Sequence, residues 1–522
     1  MDDYTAFREI ISRLSYAATP DDIQKIKLSV CRQFQLSAFP KNSAILLAAE
    51  PHEREYLRRI LQVKPTRTLS GVAPVAVMTS PHPCPHGICL PCPGGPDHLF
   101  QSPQSYTGEE PAALRGREHG YDPYEQVHAR LSQFRLLGHH VDKAELIVMG
   151  GTITAREPAY QQYVVTRCLS AMNDFPDRSS AEAGFEDAAL ANESAAVRCI
   201  AITFETRPDW CRREHIERML SLGVTKVEIG VQHVLDEILE YNRRGHSVED
   251  SIEANRLLRD AGLKVGFHVM PNLPGSNREK DRELFRSLYS NPDLRPDFLK
   301  IYPTLVTPGS EIEELYHRGE YRPYDEEELI ALVAYGKEQL PEYTRLQRIQ
   351  RDIPAKLIVA GSRHGNFRQL AQKHLETLGK RCRCIRCREI GRSPNREEGE
   401  IRTIEYDCCG GREFFIKAEA GDSLIGFIRL RFPGEAFSPE CEGAALIREL
   451  HVYGSIVPLS SDPTGDERQH SSYGKRLLEV AEETARHGGY SSVCVMSGIG
   501  VRSYYRKQGY LREGPYMIKK LS

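Results

Sequence analysis

Between Val72 and about Tyr335, short β-rich runs alternate with amphipathic helical segments, and this alternation constrains the fold more than any other feature of the chain. The runs are Val75 to Met78, Glu145 to Met149, Cys199 to Phe204, Lys226 to Val231, Lys264 to Met270 and Phe298 to Tyr302. Between them lie helical patterns at Glu125 to Leu137, Arg212 to Leu222, Val248 to Ala261 and Lys280 to Ser290. Six βα units predict a parallel, barrel-like sheet. In such a sheet the active site lies at the C-terminal ends of the strands, which directs attention to Gly150, Glu205, Gln232 and Pro271.

The rest of the chain divides around this unit. At 522 residues it exceeds what one hydrophobic core organises. Residues 1–72 read as helical, with Ile10, Ile11 and Leu14 and then Tyr56, Leu57, Ile60 and Leu61 on apolar faces, and Arg54 to Arg67 is basic. The barrel is expected over 73–340, a basic linker over 341–400 and a second α/β unit over 401–522. In that unit strands are predicted at Glu413 to Lys417, Leu424 to Arg431, Ala445 to Val452 and Ser492 to Met496, with a strong helix after Gly474. The acidic insertion Phe175 to Ser194 has no periodicity and predicts a mobile loop. Apolar runs such as Ala44 to Ala49 are too short to span a bilayer, and the acidic N-terminus is unlike a signal peptide, so a cytoplasmic protein without membrane contact is expected. The net charge of -3 hides local asymmetry: Arg345 to Arg392 holds thirteen Lys and Arg against three Asp and Glu, either a phosphate-binding surface or a solvated helical face.

The fourteen cysteines include two tight groups, which in a large chain suggest metal rather than disulfides. The first, PHPCPHGICLPCPGGPDH, sets Cys84, Cys89 and Cys92 among prolines and glycines directly after the first strand. Thiolates suit iron–sulfur cores, and three of them leave one iron of a four-iron cluster open. An open iron can chelate S-adenosylmethionine and reduce it to an adenosyl radical. The other reading is a zinc loop completed by His82 or His86, but placement after the first barrel strand favours the cluster.

That loop, together with DKAELIVMGGT, ITFETRPDW, VEIGVQHVLDEILEYNRRGH and HVMPNLPGS, closely resembles the catalytic subunit of Elongator, a radical S-adenosylmethionine enzyme. The resemblance runs nearly from end to end. Only the four-residue interval between Cys84 and Cys89 departs from eukaryotic members, and it looks like the shortened loop of a microbial one. The resemblance implies an α/β fold with a partial (βα)6 radical SAM barrel fused to a GNAT-type acetyltransferase domain after an N-terminal helical region, and the basic N-terminal helices and the Arg345 to Arg392 segment are the candidates for binding tRNA. It also implies that Gly150, Gly151 and Thr152 hold the amino group of S-adenosylmethionine, that Glu205 and Gln232 meet its ribose or methionine part, and that Lys143 contacts acetyl-CoA.

In GNAT enzymes a splayed strand pairs with the pantetheine and a helix N-terminus takes the pyrophosphate. By resemblance, Glu449, Leu450, His451 and Val452 line the pantetheine, and Tyr473, Gly474 and Lys475 face the pyrophosphate. Gln469 and Gly474 match the usual signature, whereas Ser472 stands where glycine is expected, and its Cβ would crowd the turn. Tyr505, with Tyr504 close behind, matches the tyrosine that protonates a departing thiolate, although rings in a helix more often pack in a core.

The second group, KRCRCIRCREIGR, brings Cys382, Cys384 and Cys387 within reach of one ion, with structural zinc the default and His374, Cys408 or Cys409 as the fourth ligand. The function implied is carboxymethyluridine synthesis at wobble uridine 34 of tRNA: an adenosyl radical takes hydrogen from the acetyl-CoA methyl group, and the carbon radical adds to uridine C5. The implied partners are a tRNA anticodon stem-loop, a reductant protein for the cluster and a second copy of the chain. A protein lysine acetyltransferase and a noncatalytic tRNA-binding subunit are the alternatives, and neither explains three clustered thiols in a barrel.

Overall fold

The computed structural model describes residues 3–14, 19–36, 39–61, 71–139, 141–179, 181–390, 399–453 and 466–521, the side chains of 20, 59 and 466–472 excepted. The six runs form strands β1 (Ala73–Met78), β2 (Lys143–Met149), β3 (Arg198–Thr206), β4 (Lys226–Gln232), β5 (Lys264–Val269) and β6 (Phe298–Ile301). A seventh, β7 (Arg345–Ile349), extends the sheet beyond the six strands expected and takes the first residues of the predicted linker. The strands pair in sequence order and all in parallel, from β1 at one edge to β7 at the other.

Their β-branched and aromatic residues suit a sheet covered by helices. Val75, Val77, Leu146, Val148, Ile202 and Phe204 have no exposure and share one core with the surrounding helices. Those helices start where the sequence offers caps: Asp122 accepts from the Glu125 amide at 2.9 Å, and Ser247 and Asp250 close a capping box.

The chain from 399 builds a second seven-stranded sheet: β8 (Glu400–Cys408), β9 (Gly411–Ala420), β10 (Ser423–Phe432), β11 (Ala444–Val452), β12 (Ser492–Val495), β13 (Leu511–Glu513) and β14 (Tyr516–Lys520). Its order is β13-β14-β12-β11-β10-β9-β8, with the parallel pair β11–β12 joined through the helix Asp466–His487. Four N-terminal helices, Asp3–Leu14, Pro20–Gln33, Asn42–Leu47 and Pro51–Leu61, close over Ile10, Leu14, Val30, Ile45 and Leu57. Residues 62–67 of the predicted basic stretch lie outside the described residues. Among the described residues no helix is long and apolar enough to cross a membrane.

The second sheet docks beneath the N-terminal ends of the barrel strands through buried charges. Asp297, just before β6, accepts from Arg448 at 2.7 and 2.9 Å, and Glu413 accepts from Arg448 at 2.7 Å and from Arg259 and Arg431 at 3.1 Å. Arg431 also holds Asp260 at 2.6 Å. The acidic insertion belongs to this boundary and is not the loop expected. Its residues Phe185–Asn192 form a helix, because Asn192 is fully buried and caps the amide of Cys199 at 2.7 Å. The next residue, Glu193, meets Arg502 at 3.3 Å and Arg506 at 2.5 Å in the second unit.

Candidate active site

Cys84, Cys89 and Cys92 lie past the C-terminal end of β1, at one wall of a cavity of about 950 Å³ that Gly151, Thr152, Glu205 and Gln232 also line. The loop is stitched down by backbone bonds from Leu90 to the Asn242 carbonyl and from Ile312 to the Leu90 carbonyl. Gly150 and Gly151 have φ of +133° and +94°, and a Cβ on Gly150 would strike Thr79 Oγ1 at 2.0 Å, so this turn admits only glycine. Gly151 thereby comes beside Cys84, and Thr152 Oγ1 lies 3.6 Å from its sulfur. Gln232 sits at φ +65° with its Oε1 buried and unpartnered, a strained backbone at a cavity wall.

Glu205 is bound from two sides, by Tyr106 Oη at 3.1 Å and Lys300 Nζ at 2.7 Å. Lys300 also pairs with Glu228, which meets Lys226 at 3.2 Å, and Lys226 reaches Glu145 at 2.8 Å. A ladder of alternating charges thus fills the barrel lumen. Burial works against the charge on Lys300, yet Glu205 and Glu228 raise its pKa overall. Burial pushes the Cys84 thiol up to about 11, which Thr152 only partly offsets. His86, 3.0 Å from the Cys89 sulfur, is pushed down to about 3, first by burial and then by Arg207 and Arg244. Sequence reasoning missed Gln104, Tyr106, Arg207, Arg244 and Lys300, which reach the site from separate loops and strands. The motif that carried Gln232 also contains Arg244.

The predicted acetyl-CoA residues lie at the opposite mouth. β11 pairs with β12 only from Ala444 to Ile447, and then the two strands part; Arg448 bulges out of register with β10. Glu449, Leu450, His451 and Val452 run along that splay, half-buried, with His451 Nε2 unpartnered. Burial lowers the pKa of His451, opposed by Glu449. A Cβ on Gly474 would meet Tyr504 Oη at 3.3 Å and Val452 Cγ2 at 3.8 Å, so Tyr504, Gly474 and Val452 converge.

Three expectations on this side need correction. Tyr505 is buried in the second core against Tyr510, so Tyr504 is the ring at the splay. Tyr473 is buried, its hydroxyl accepting from the Gly399 amide at 2.7 Å. The helix begins at Asp466, so Tyr473, Gly474 and exposed Lys475 lie past its first turn, where amides are spent on intrahelical bonds. The side chains of Gln469 and Ser472 lie outside the described residues. Lys143 opens β2 beside Arg198, at the end of the barrel that the second unit covers and away from the cysteines.

Cys382, Cys384 and Cys387 have their sulfurs within 4.8 Å of one another, near the roughly 3.8 Å expected between thiolates on one tetrahedral zinc. Hydrogen bonds from Cys382 and Cys387 hold the Cys384 thiol well below its usual range. No His, Cys, Asp or Glu among the described residues brings a fourth ligand atom into that group, and Cys408 and Cys409 instead lie against the carbonyls of Leu294 and Asp293. The first cysteine group is wider than 4.8 Å, as thiolates on separate irons require. Around it His86 Nδ1, Arg207 Nη1, Gln232 Oε1 and Arg244 Nε are buried without partners, which fits a cavity built for a polar occupant.

The Radical SAM superfamily profile matches residues 80–288, that of the Radical SAM C-terminal domain residues 296–377 and that of the ELP3 N-terminal domain residues 4–69. The tRNA uridine(34) acetyltransferase of Methanocaldococcus infernus is 47% identical over 96% of this chain and 95% of its own length. Elongator complex protein 3 of Homo sapiens is 43% identical over 96% and 93%. This chain belongs to the Elongator complex protein 3 family. A solved structure of the archaeal Methanocaldococcus infernus Elp3 lacking residues 1–46 superimposes with a TM-score of 0.75 at 44% identity, covering 87% of this chain and all of that one. The resemblance read from the motifs is borne out, and membership in a radical SAM family implies a four-iron cluster and S-adenosylmethionine. Cys84, Cys89 and Cys92 are the thiols at the cavity that suit the cluster.

Proposed function

We propose that this member of the Elongator complex protein 3 family is a tRNA carboxymethyluridine synthase acting on wobble uridine 34, with acetyl-CoA as the source of the added carbon. The observation that carries this reading is the cavity itself: three spaced thiols, a glycine turn and four unpartnered buried polar atoms at the open ends of parallel strands. Relatives named tRNA uridine(34) acetyltransferase supply the substrate.

The cluster and S-adenosylmethionine, when bound, supply an adenosyl radical. The chain's own residues shape what meets it. Gly150 and Gly151 leave room for a backbone contact to the methionyl amino group, and Gln232 Oε1 offers an acceptor. Glu205, fixed by Tyr106 and Lys300, stays oriented toward the cavity without freedom to swing. The cavity runs outward past Lys41, which precedes the third N-terminal helix, Arg348 of β7 and Arg351 just beyond it, a basic mouth for an anticodon loop with its base turned out of the stack. Arg348 there pairs with Asp352 at 2.8 Å, and other cations of the 345–392 segment are likewise engaged with acids, as Arg388 is with Glu342 and Lys380 with Glu338.

At the other end, Glu449 to Val452 offer strand groups to a pantetheine, and Tyr504 is placed to protonate the leaving thiolate. A strand of seven residues covers roughly 20 Å, so the acetyl unit must cross the length of the barrel to reach the cysteine cavity. Zinc on Cys382, Cys384 and Cys387 would fix the segment between the two units.

Anaerobic reconstitution followed by incubation with tRNA, acetyl-CoA, S-adenosylmethionine and a reductant tests the reading. Nucleoside analysis should show 5-carboxymethyluridine at position 34. Unmodified uridine 34 on protein carrying four irons would overturn it.

A further inference from the structure

Each thiol of the first cysteine group meets a side chain from outside its own loop, and the three are not equivalent. Arg244 Nη1 donates to Cys89 at 3.0 Å, Gln104 Nε2 donates to Cys92 at 3.0 Å, and Thr152 Oγ1 lies 3.6 Å from Cys84. Cys89 and Cys92 are buried, so these donors act where water screens least.

The turn that delivers Arg244 is built for the purpose. Asn242 is buried and donates to the carbonyls of Ile238 and Pro274, each at 2.8 Å, while its own carbonyl accepts from Leu90 of the cysteine loop. Arg243 takes φ +53° and points away to Glu311 at 3.0 Å. Gly245 presses so close that a Cβ would lie 2.8 Å from that of His86. A left-handed residue, a glycine and an anchored asparagine thus aim one guanidinium of an adjacent arginine pair at one sulfur.

We propose that Arg244 and Gln104 are positioning residues that set the reduction potential of the cluster held by Cys84, Cys89 and Cys92. The proposal rests on the reading that those thiols hold such a cluster. Reduction adds an electron to a core already made negative by its thiolates. N–H donors on the sulfurs, and a full positive charge on Cys89, stabilise the reduced form more than the oxidised one and raise the potential. Arg244 therefore has the larger effect, Gln104 a smaller one, and Thr152, at the longest distance, the smallest.

The test is an EPR-monitored redox titration of the anaerobically reconstituted full-length chain beside Arg244→Met, Arg244→Gln and Gln104→Leu, with iron counted in each. With four irons retained, Arg244→Met should shift the reduction equilibrium at least tenfold toward the oxidised form, 59 mV for a one-electron couple. Arg244→Gln should recover part of that shift, and Gln104→Leu should shift the equilibrium several-fold in the same direction. Wild-type potentials in Arg244→Met and Gln104→Leu would overturn the proposal. So would loss of iron from both, which would make these residues retainers of the cluster rather than tuners of it. A wild-type chain that takes up no four-iron cluster would instead overturn the reading beneath it.

Discussion

Cys84, Cys89 and Cys92 and the trio Cys382, Cys384 and Cys387 are the same residue used three times within a few positions, yet the fold makes opposite sites of them. The second trio packs its sulfurs within 4.8 Å, turned toward one another, as one small ion requires. The first spreads its sulfurs along a cavity wall, and each meets a donor from elsewhere in the barrel. At the first group, buried polar atoms of Arg207, Gln232 and Arg244 stand without partners around the cavity. Spacing alone points to metal at both groups, and the surroundings are what set the two apart.

The largest effect should come from the first group. Cys84→Ala should bring uridine modification to background, whereas Cys384→Ala should leave it within a few-fold at temperatures where the variant stays folded, both read by nucleoside mass spectrometry. Equal losses would erase the distinction between a reacting site and a structural one.

The charged boundary beneath the barrel comes next. Asp297→Ala would leave Arg448 and Arg259 buried with Glu413 as the carboxylate they share, costing about 3–5 kcal/mol in denaturant unfolding without changing metal content. Although burial opposes its ionisation, Arg259, Arg448 and Arg429 hold the Asp297 carboxyl well below the usual range. A depressed carboxylate stabilises above its unfolded pKa of about 3.9 and loses that contribution as pH falls through the folded value. Acid unfolding below about pH 4 should therefore be blunter in Asp297→Asn than in the parent.

Tyr504→Phe should slow consumption of the acetyl thioester about 10²-fold, and Tyr505→Phe should change it less than twofold while lowering stability. The smallest effect is at Gln232: Gly at this position relieves a left-handed backbone worth about 1–3 kcal/mol of strain but removes an acceptor from the cavity. Thermal stability should rise slightly while S-adenosylmethionine binding weakens, measured by scanning calorimetry and titration calorimetry.

Much of the barrel was legible because Val, Ile and Phe runs punctuated by amphipathic helices leave few alternatives. β7 was not, since Arg345, Gln347 and Arg348 disguise a strand as a basic linker until Arg345 is seen meeting Glu389 and Tyr453. Arg259, Arg429, Arg431 and Arg448 were equally silent, because a strand or helix arginine carries no mark of the carboxylate that will bury it. At the site, the cysteine loop and the glycine turn were readable as contiguous motifs. Lys300, Tyr106 and Gln104 were not, since only folding brings them to Glu205 and Cys92. The family resemblance favours Tyr505 with Tyr504 close behind, whereas helix rotation buries Tyr505 in the core and brings the Tyr504 hydroxyl beside Gly474.

The most direct test of the difference between the two cysteine groups is elemental analysis of the reconstituted chain and its Cys84→Ala and Cys384→Ala variants. The expected result is four irons and one zinc in the parent, iron lost and zinc kept in Cys84→Ala, and the reverse in Cys384→Ala. Zinc in place of iron at the first group, or loss of both metals from either variant, would contradict it.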